Sequence, residues 1–357
     1  MKRNFVGTGL MLCCLCLFSF LGISQQVPLS IKGHGKVFLN TKNFNQKINY
    51  RQHQRPFGAN SSCADDSVFF TRQSQIDSFL IDNPLCTVLR KIIIDGSGAS
   101  PAITQLDGLQ NITQVTELLS IQNTSITDLS DFVALTQIDG PLYLKYNNLL
   151  TGIGLNNLTK LGGMELRVLP ALTTINGITN NIDSIFGHVR FDSVGITNLS
   201  ELNGIVYING DLEVSNTAIT TLSGINTLRR LNYLYLNNDT LLSSVGLTQI
   251  DSTYGFLFGN LPVLTSLGPL SYELDSKSIF TFWFINTPQL TSLTGMDSVY
   301  SSFNFYIWFN PGLTSLQGLH HLTGNSYGFS IWYNQNLADI SQLGNLTNVY
   351  DGKVELN

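Results

Sequence analysis

Ile103-Thr-Gln-Leu-Asp-Gly-Leu109 returns as Leu172-Thr-Thr-Ile-Asn-Gly-Ile178, Ile219-Thr-Thr-Leu-Ser-Gly-Ile225 and Leu313-Thr-Ser-Leu-Gln-Gly-Leu319. Further versions open at Ile126, Leu150, Ile196, Leu242, Leu264, Leu290 and Leu337, making eleven in all. Nine carry Thr second (Thr104, Thr127, Thr151, Thr173, Thr197, Thr220, Thr265, Thr291 and Thr314), with Ser243 and Ala338 as the departures. One such unit cannot bury its apolar face alone, so self-similarity on this scale predicts a stack of repeats, a solenoid.

Upstream of each copy lies a short strand with two inward apolar residues. The pairs are Ile92/Ile94, Leu119/Ile121, Leu142/Leu144, Met164/Leu166, Val189/Phe191, Leu212/Val214, Leu234/Leu236, Phe256/Phe258, Phe282/Phe284, Phe305/Ile307, Phe329/Ile331 and Val354/Leu356, spaced 22–27 residues apart. A turn follows, in which Pro170, Pro262, Pro288 and Pro311 share one phase and Asn recurs at Asn123, Asn147, Asn216, Asn310 and Asn334. Stacked turn amides satisfy backbone groups from rung to rung, so these Asn read as structural. Gly108, Gly177, Gly224, Gly295 and Gly318 fit tight corners. Three apolar stations per turn of chain predict a polygonal parallel β-coil in preference to strand-plus-helix repeats.

The chain has 357 residues and divides by composition. Lys2 and Arg3 precede an apolar run, Leu10 to Leu21, then Gly22 and Ser24: residues 1–24 read as a secretory signal peptide. The run is too short to span a membrane, and no later segment predicts a transmembrane helix. Leu12 and Leu15 precede Cys13 and Cys16 where a lipoprotein anchor needs a small residue. Residues 25–62 hold six basic residues and no acid, and residues 63–357 hold 11 basic and 24 acidic ones. The basic stretch reads as a flexible arm: a solvated spacer, with attachment to a polyanion as the alternative. Cys63 and Cys86 are the cysteines left after the leader, and an exported protein is expected to join them. Between them, Val68 to Phe70 reads as a strand. Ser74 and Asp77 have capping-box spacing, Ile76, Phe79 and Leu80 share a helical face, and Pro84 stops the helix. Residues 63–88 therefore form an N-terminal cap and residues 89–357 the repeat solenoid.

A cysteine-bracketed strand–helix cap followed by L-x-L-x-x-N-P-x-L-T-x-L-x-G-L-x-N-L-T-x-I rungs resembles the receptor L-domain family, over residues 63–357. The nearer likeness is to the secreted, leucine-rich L-domain-like repeat proteins of Bacteroidetes bacteria. The resemblance implies an all-β, right-handed parallel β-solenoid, L-domain or leucine-rich-repeat-like, that recognises partners through a surface. It carries over no catalytic motif and no ligand. The relatives often end in a sorting or adhesion module, absent here. The C-terminal cap is also missing, so either the chain is a fragment or another chain covers that end by self-association.

Residues between and after each inward pair face outward, in columns with a rung spacing of about 4.8 Å. The first column runs Ser120, Tyr143, Glu165, Arg190, Glu213, Tyr235, Leu257, Trp283, Tyr306, Ser330. The second runs Gln122, Lys145, Arg167, Asp192, Ser215, Asn237, Gly259, Ile285, Trp308, Trp332. Glu165–Arg190–Glu213 and Arg167–Asp192 alternate in sign, as an exposed ladder that fixes register would. All three tryptophans of the chain fall in these columns, and Trp283, Ile285, Tyr306, Trp308 and Trp332 form the candidate ligand-binding group. The competing reading is that these rungs are covered, with Phe282, Phe284, Phe305 and Phe309 as neighbouring core. Sequons at Asn111, Asn157 and Asn345 share one repeat phase and arise from the repeat itself.

An enzyme on this scaffold would use Glu165 and Glu213, two rungs and roughly 9–10 Å apart. Each has an opposite charge one rung away, and nothing in the sequence suggests a raised pKa. No Cys/His or acidic cluster suits a metal. The expectation is a non-catalytic, cofactor-free binding or adhesion solenoid at the cell surface, taking a polysaccharide or protein and no nucleic acid. A structural spacer or self-association module is the alternative, and a polysaccharide-degrading β-helix enzyme comes third.

Overall fold

The computed structural model describes residues 63–354, apart from 64–65, 179–180, 269 and 271–277. The signal peptide, the basic arm and Leu356 lie outside the described residues. Among the described residues, fifteen strands form one sheet in which every pairing is parallel. Successive strands such as Gln114–Gln122, Gln137–Lys145 and Lys160–Leu169 stack in chain order, one per turn, so the chain is a β-solenoid of about eleven turns. Among the described residues the single α-helix is Gln73–Asp82. None is long and apolar enough to cross a membrane.

The repeated line turns the chain because every third residue points inward. Ile103, Leu106, Leu109, Ile112 and Val115 are all buried, and the inward pair Leu119/Ile121 follows. Thr is favoured second in the line because it bonds twice to the rung before. Thr151 donates its N–H and hydroxyl to the Thr127 carbonyl at 2.9 and 3.3 Å, and Thr314 does so to Thr291 at 3.1 and 3.2 Å. Ser243 and Thr265 repeat the pattern, whereas Ala338 keeps only the N–H bond. The sequon Asn residues serve similarly: Asn157 Nδ2 donates to the Val133 carbonyl at 2.8 Å and Asn345 Nδ2 to His320 at 2.9 Å.

The cap is the first rung. Strand Ser67–Phe70 pairs with Val88–Asp95, aligning Val68 with Ile92 and Phe70 with Ile94, and Phe79 packs edge-on against Phe70. Cys63 and Cys86 form the disulfide, with their Cα atoms 5.6 Å apart. The helix begins earlier than the Ser74/Asp77 spacing suggests. Its N-cap is Arg72, and Gln75 Oε1 accepts the Thr71 and Arg72 N–H groups at 2.7 and 3.0 Å. The glutamine three residues after the N-cap plays the capping-box role, its carbonyl accepting from the N-cap N–H and the one before it. Ile76 and Phe79 are buried, Leu80 half-buried, and the helix ends before Pro84.

Two further readings change. In the last rung the register places Gly352 and Val354, not Val354 and Leu356, beside Phe329 and Ile331. A register shift between Asn325 and Gly328 absorbs the difference, and an inward glycine is invisible to a search for apolar pairs. The repeated glycines also do two different jobs. Gly177, Gly295 and Gly318 have positive φ, but Gly108 does not; there an added Cβ would collide with the Ile76 carbonyl of the cap helix.

Among the described residues, ten rungs carry a left-handed residue at or just past the end of the strand: Asn123, Tyr146, Val168, Ser193, Asn216, Asn238, Asn260, Asn286, Phe309 and Tyr333. Its N–H donates to the next rung, as Asn286 does to the Trp308 carbonyl and Phe309 to Trp332, both at 3.0 Å. The next residue turns back into the core. The turn asparagines therefore separate into two columns: Asn123 and Asn216 at the left-handed corner, and Asn147, Asn310 and Asn334 buried behind it.

Candidate functional site

The outward columns align as the alternation predicts. Leu257, Trp283, Tyr306 and Ser330 lie side by side, as do Gly259, Ile285, Trp308 and Trp332. Trp283, Tyr306, Trp308 and Trp332 are half-buried and in ring contact. Trp283 meets Tyr306 at 5.3 Å and 86°, Tyr306 meets Trp308 at 5.2 Å and 64°, and Trp308 meets Trp332 at 6.3 Å and 85°. These are edge-to-face contacts, the arrangement ring quadrupoles favour. The strip is therefore corrugated and is not a continuous flat platform. Trp308 Nε1 is held by the Ser330 hydroxyl at 2.9 Å.

Ile285 does not belong to the exposed strip. It is only 4% exposed. Its neighbours in the column are Gly259 and Trp308. Leu257 is buried on the same face. Phe309 moves the other way. As a left-handed corner residue it turns outward and is 37% exposed, instead of joining the core of Phe282, Phe284 and Phe305. Tyr333, at the same corner one rung on, is 41% exposed and stacks on Phe309 at 5.0 Å and 14°. Trp332 touches both, at 5.7 Å from Phe309 and 4.3 Å from Tyr333. The sequence signal for these two was the phase of the corner, one residue after the second outward column.

The strip carries no charge. From Tyr235 to Trp332 neither outward column holds an Asp, Glu, Lys, Arg or His. An amide ladder leads to it from the second column into the corner: Asn260 Nδ2 donates to Asn237 Oδ1 at 3.3 Å and Asn286 Nδ2 to Asn260 Oδ1 at 2.8 Å. Stacked rings then take over at Phe309 and Tyr333.

The charged half of the same face is more enclosed than an exposed ladder would be. Glu165 aligns with Arg190 and Glu213, and Arg167 with Asp192. Asp192 is 7% exposed and sits within 3.2 Å of Arg167 Nε and 3.5 Å of Arg190 Nη2; Asn216 Nδ2 donates to it at 2.9 Å. Glu213 pairs with Arg190 at 3.2 Å, and Glu165 with Lys145 at 3.1 Å. Burial raises the Glu213 carboxyl above the ordinary range; Arg190 opposes this and the charges of Asp192 and Glu165 add to it. The sequence reading of an unperturbed pair is corrected for Glu213, because the packed columns leave it only partly exposed to water.

An open cleft of about 770 Å³, lined by loop residues including Asn156, Asn176, Asp183, Glu201 and Asn203, had no sequence signal. Among the described residues, no group of three or more His, Cys, Asp or Glu side chains is placed to hold a metal. Comparison with protein-family models, with curated proteins and with solved structures finds no match to this chain.

Proposed function

We propose that this chain is an exported, non-catalytic binding solenoid that recognises a glycan or a protein at the cell surface. The observation that carries the reading is the uncharged aromatic strip of Trp283, Tyr306, Trp308 and Trp332, extended at the corner by Phe309 and Tyr333. Outward strand positions in a water-facing coil favour polar residues, and a contiguous aromatic group there marks an interaction surface. The resemblance to receptor L domains supports surface recognition, and the Cys63–Cys86 bond fits an oxidising compartment. The absence of Lys and Arg from the strip favours an uncharged partner.

Tryptophan emission tests this directly, because every Trp of the chain lies on the strip. The chain without residues 1–24 is titrated with neutral and anionic cell-surface polysaccharides and with surface-protein extracts fractionated to single components. A saturable change in emission with one ligand, lost in Trp308→Ala and Trp332→Ala, supports the reading. Saturable binding that leaves emission unchanged and survives both substitutions moves recognition elsewhere.

A spacer or self-association module is the second reading. Among the described residues, strand Asn348–Val354 stands last in the sheet order, and a parallel edge can act as a template for another strand. A concentration-dependent mass in solution would favour it. The polysaccharide-degrading alternative has less support, since Glu165 and Glu213 are each tied to a cation.

A further inference from the structure

Between the charged half of the coil and the aromatic half, the rung of strand Tyr233–Asn237 carries an acid at a position where three other rungs carry an amide. The position is the buried residue just after the left-handed corner. Asn147, Asn310 and Asn334 occupy it elsewhere, at 0%, 1% and 4% exposure. Each makes the same two-sided bridge to the rung before. Oδ1 accepts: from the Thr124 N–H and hydroxyl at 2.9 and 2.8 Å for Asn147, from those of Thr287 at 2.8 Å each for Asn310, and from the Asn310 N–H at 3.0 Å for Asn334. Nδ2 donates: to the carbonyls of Ile121, Phe284 and Ile307 at 2.9, 2.9 and 2.8 Å.

Asp239 stands at this position with 0% exposure. Its Oδ1 makes the accepting half of the bridge, to the Thr217 N–H at 2.8 Å and hydroxyl at 2.7 Å. Its Oδ2 is buried and has no hydrogen-bond partner among the described residues. In the amides the second atom is a donor, and the carbonyl equivalent to Ile121 in this rung is that of Val214. An ionised carboxylate can only accept, and would set a charged oxygen in a place built for an N–H. A neutral carboxylic acid has the missing donor.

We propose that Asp239 is a neutral acid in the folded coil, its Oδ2–H donating to the Val214 carbonyl, and that this rung is a proton-operated latch between the two halves of the solenoid. Burial pushes the carboxyl up to about 6, against the pull of hydrogen bonds from Thr217 and from the Asn237 backbone and with the Asp192 charge adding to the rise. Asp192, on the strand Val189–Val194, is itself tied to Arg167, Arg190 and Asn216. The residues stacked directly before and after Asp239, Thr217 and Leu261, carry no charge. The folded value lies above the unfolded one, so the folded state holds more protons between the ordinary carboxylate range and pH 6. The latch is closed at the acid end and its contribution is lost as pH rises through that window. Solenoid stability is a sum of rung interfaces, so one weakened interface lets the halves separate locally.

The test is urea unfolding of the native chain and of Asp239→Asn from pH 4.5 to 8, with hydrogen exchange at the Thr217 amide as a second readout. Asp239→Asn supplies the donor without a proton. The expected result is a gap in favour of Asp239→Asn that widens by roughly thirtyfold in the folding constant between pH 4.5 and 7.5. Thr217 exchange, corrected for intrinsic rate, accelerates above pH 6 in the native chain and not in the variant. A gap that does not change with pH overturns the proposal. So does Thr217 protection that is equal at pH 5 and 7.5, which remains readable even if the variant does not fold.

Discussion

Asn310 and Thr287 are joined twice across a rung, the Asn310 Oδ1 accepting both the N–H and the hydroxyl of Thr287 at 2.8 Å. The same side chain reaches the Phe284 carbonyl through Nδ2. Replacing it with Asp copies the Asp239 chemistry into the aromatic half. Asn310→Asp should cost about 2–3 kcal/mol at pH 7.5, the desolvation of one buried carboxylate oxygen, and much less at pH 5. Denaturant midpoints at the two pH values decide it: equal losses would mean that the position does not discriminate an amide from a neutral acid.

The left-handed corner sets binding against stability. Asn, which tolerates positive φ, fills five of these corners, whereas Phe309, Tyr333 and Val168 do not. Left-handed backbone costs an ordinary side chain about 1–2 kcal/mol, and outliers of this kind gather at functional sites. Phe309→Asn and Tyr333→Asn should raise stability by about 0.5–1 kcal/mol and weaken ligand binding. Val168→Asn, far from the strip, should raise stability equally and leave binding intact. Parallel melting and binding curves on the three variants separate the two effects.

Arg190 lies beside both Asp192 and Glu213 in the enclosed ion network. Arg190→Met should destabilise the coil by about 3 kcal/mol because it strands buried acids, and 1 M salt should change the native chain little because enclosed pairs are weakly screened. A loss under 1 kcal/mol, or a large salt effect, would return the network to the status of a surface ladder. Glu213→Gln is the complementary variant. Burial raises the Glu213 carboxyl, so the amide should gain on the native chain as pH rises above the ordinary carboxylate range.

The cap depends on its crosslink. Cys63 and Cys86 are 23 residues apart, and opening that loop should remove about 3 kcal/mol by the chain-entropy model. Reduction should first expose amides of Ser67–Phe70, whose sole strand partner among the described residues is Val88–Asp95. Hydrogen exchange with and without reductant would show whether the loss begins there.

The solenoid and the register of both outward columns were legible in the sequence because two constraints coincide. An apolar residue every third position must turn inward to leave water, and a pair two apart must share a strand face. Together they align Glu165 with Arg190, and Trp283 with Tyr306. The last rung escaped because its inward partner to Phe329 is Gly352, which has no apolar side chain to betray it.

What the sequence by itself determined is which side of the sheet each residue takes. Alternation along a strand is a local property of extended backbone, and the repeat carries it from rung to rung. Exposure was decided only in the tertiary structure. Ile285 and Trp308 share a column, yet one is buried and the other half-exposed, because burial depends on the size of neighbours 20 or more residues away in the chain. Phe309 faces water because the N–H bond from its left-handed corner to the Trp332 carbonyl turns it outward. Asp239 and Asn147 look alike as turn residues in sequence. Only the stacked rung shows that the second side-chain atom of Asn147 donates to a carbonyl while that of Asp239 is buried without a partner.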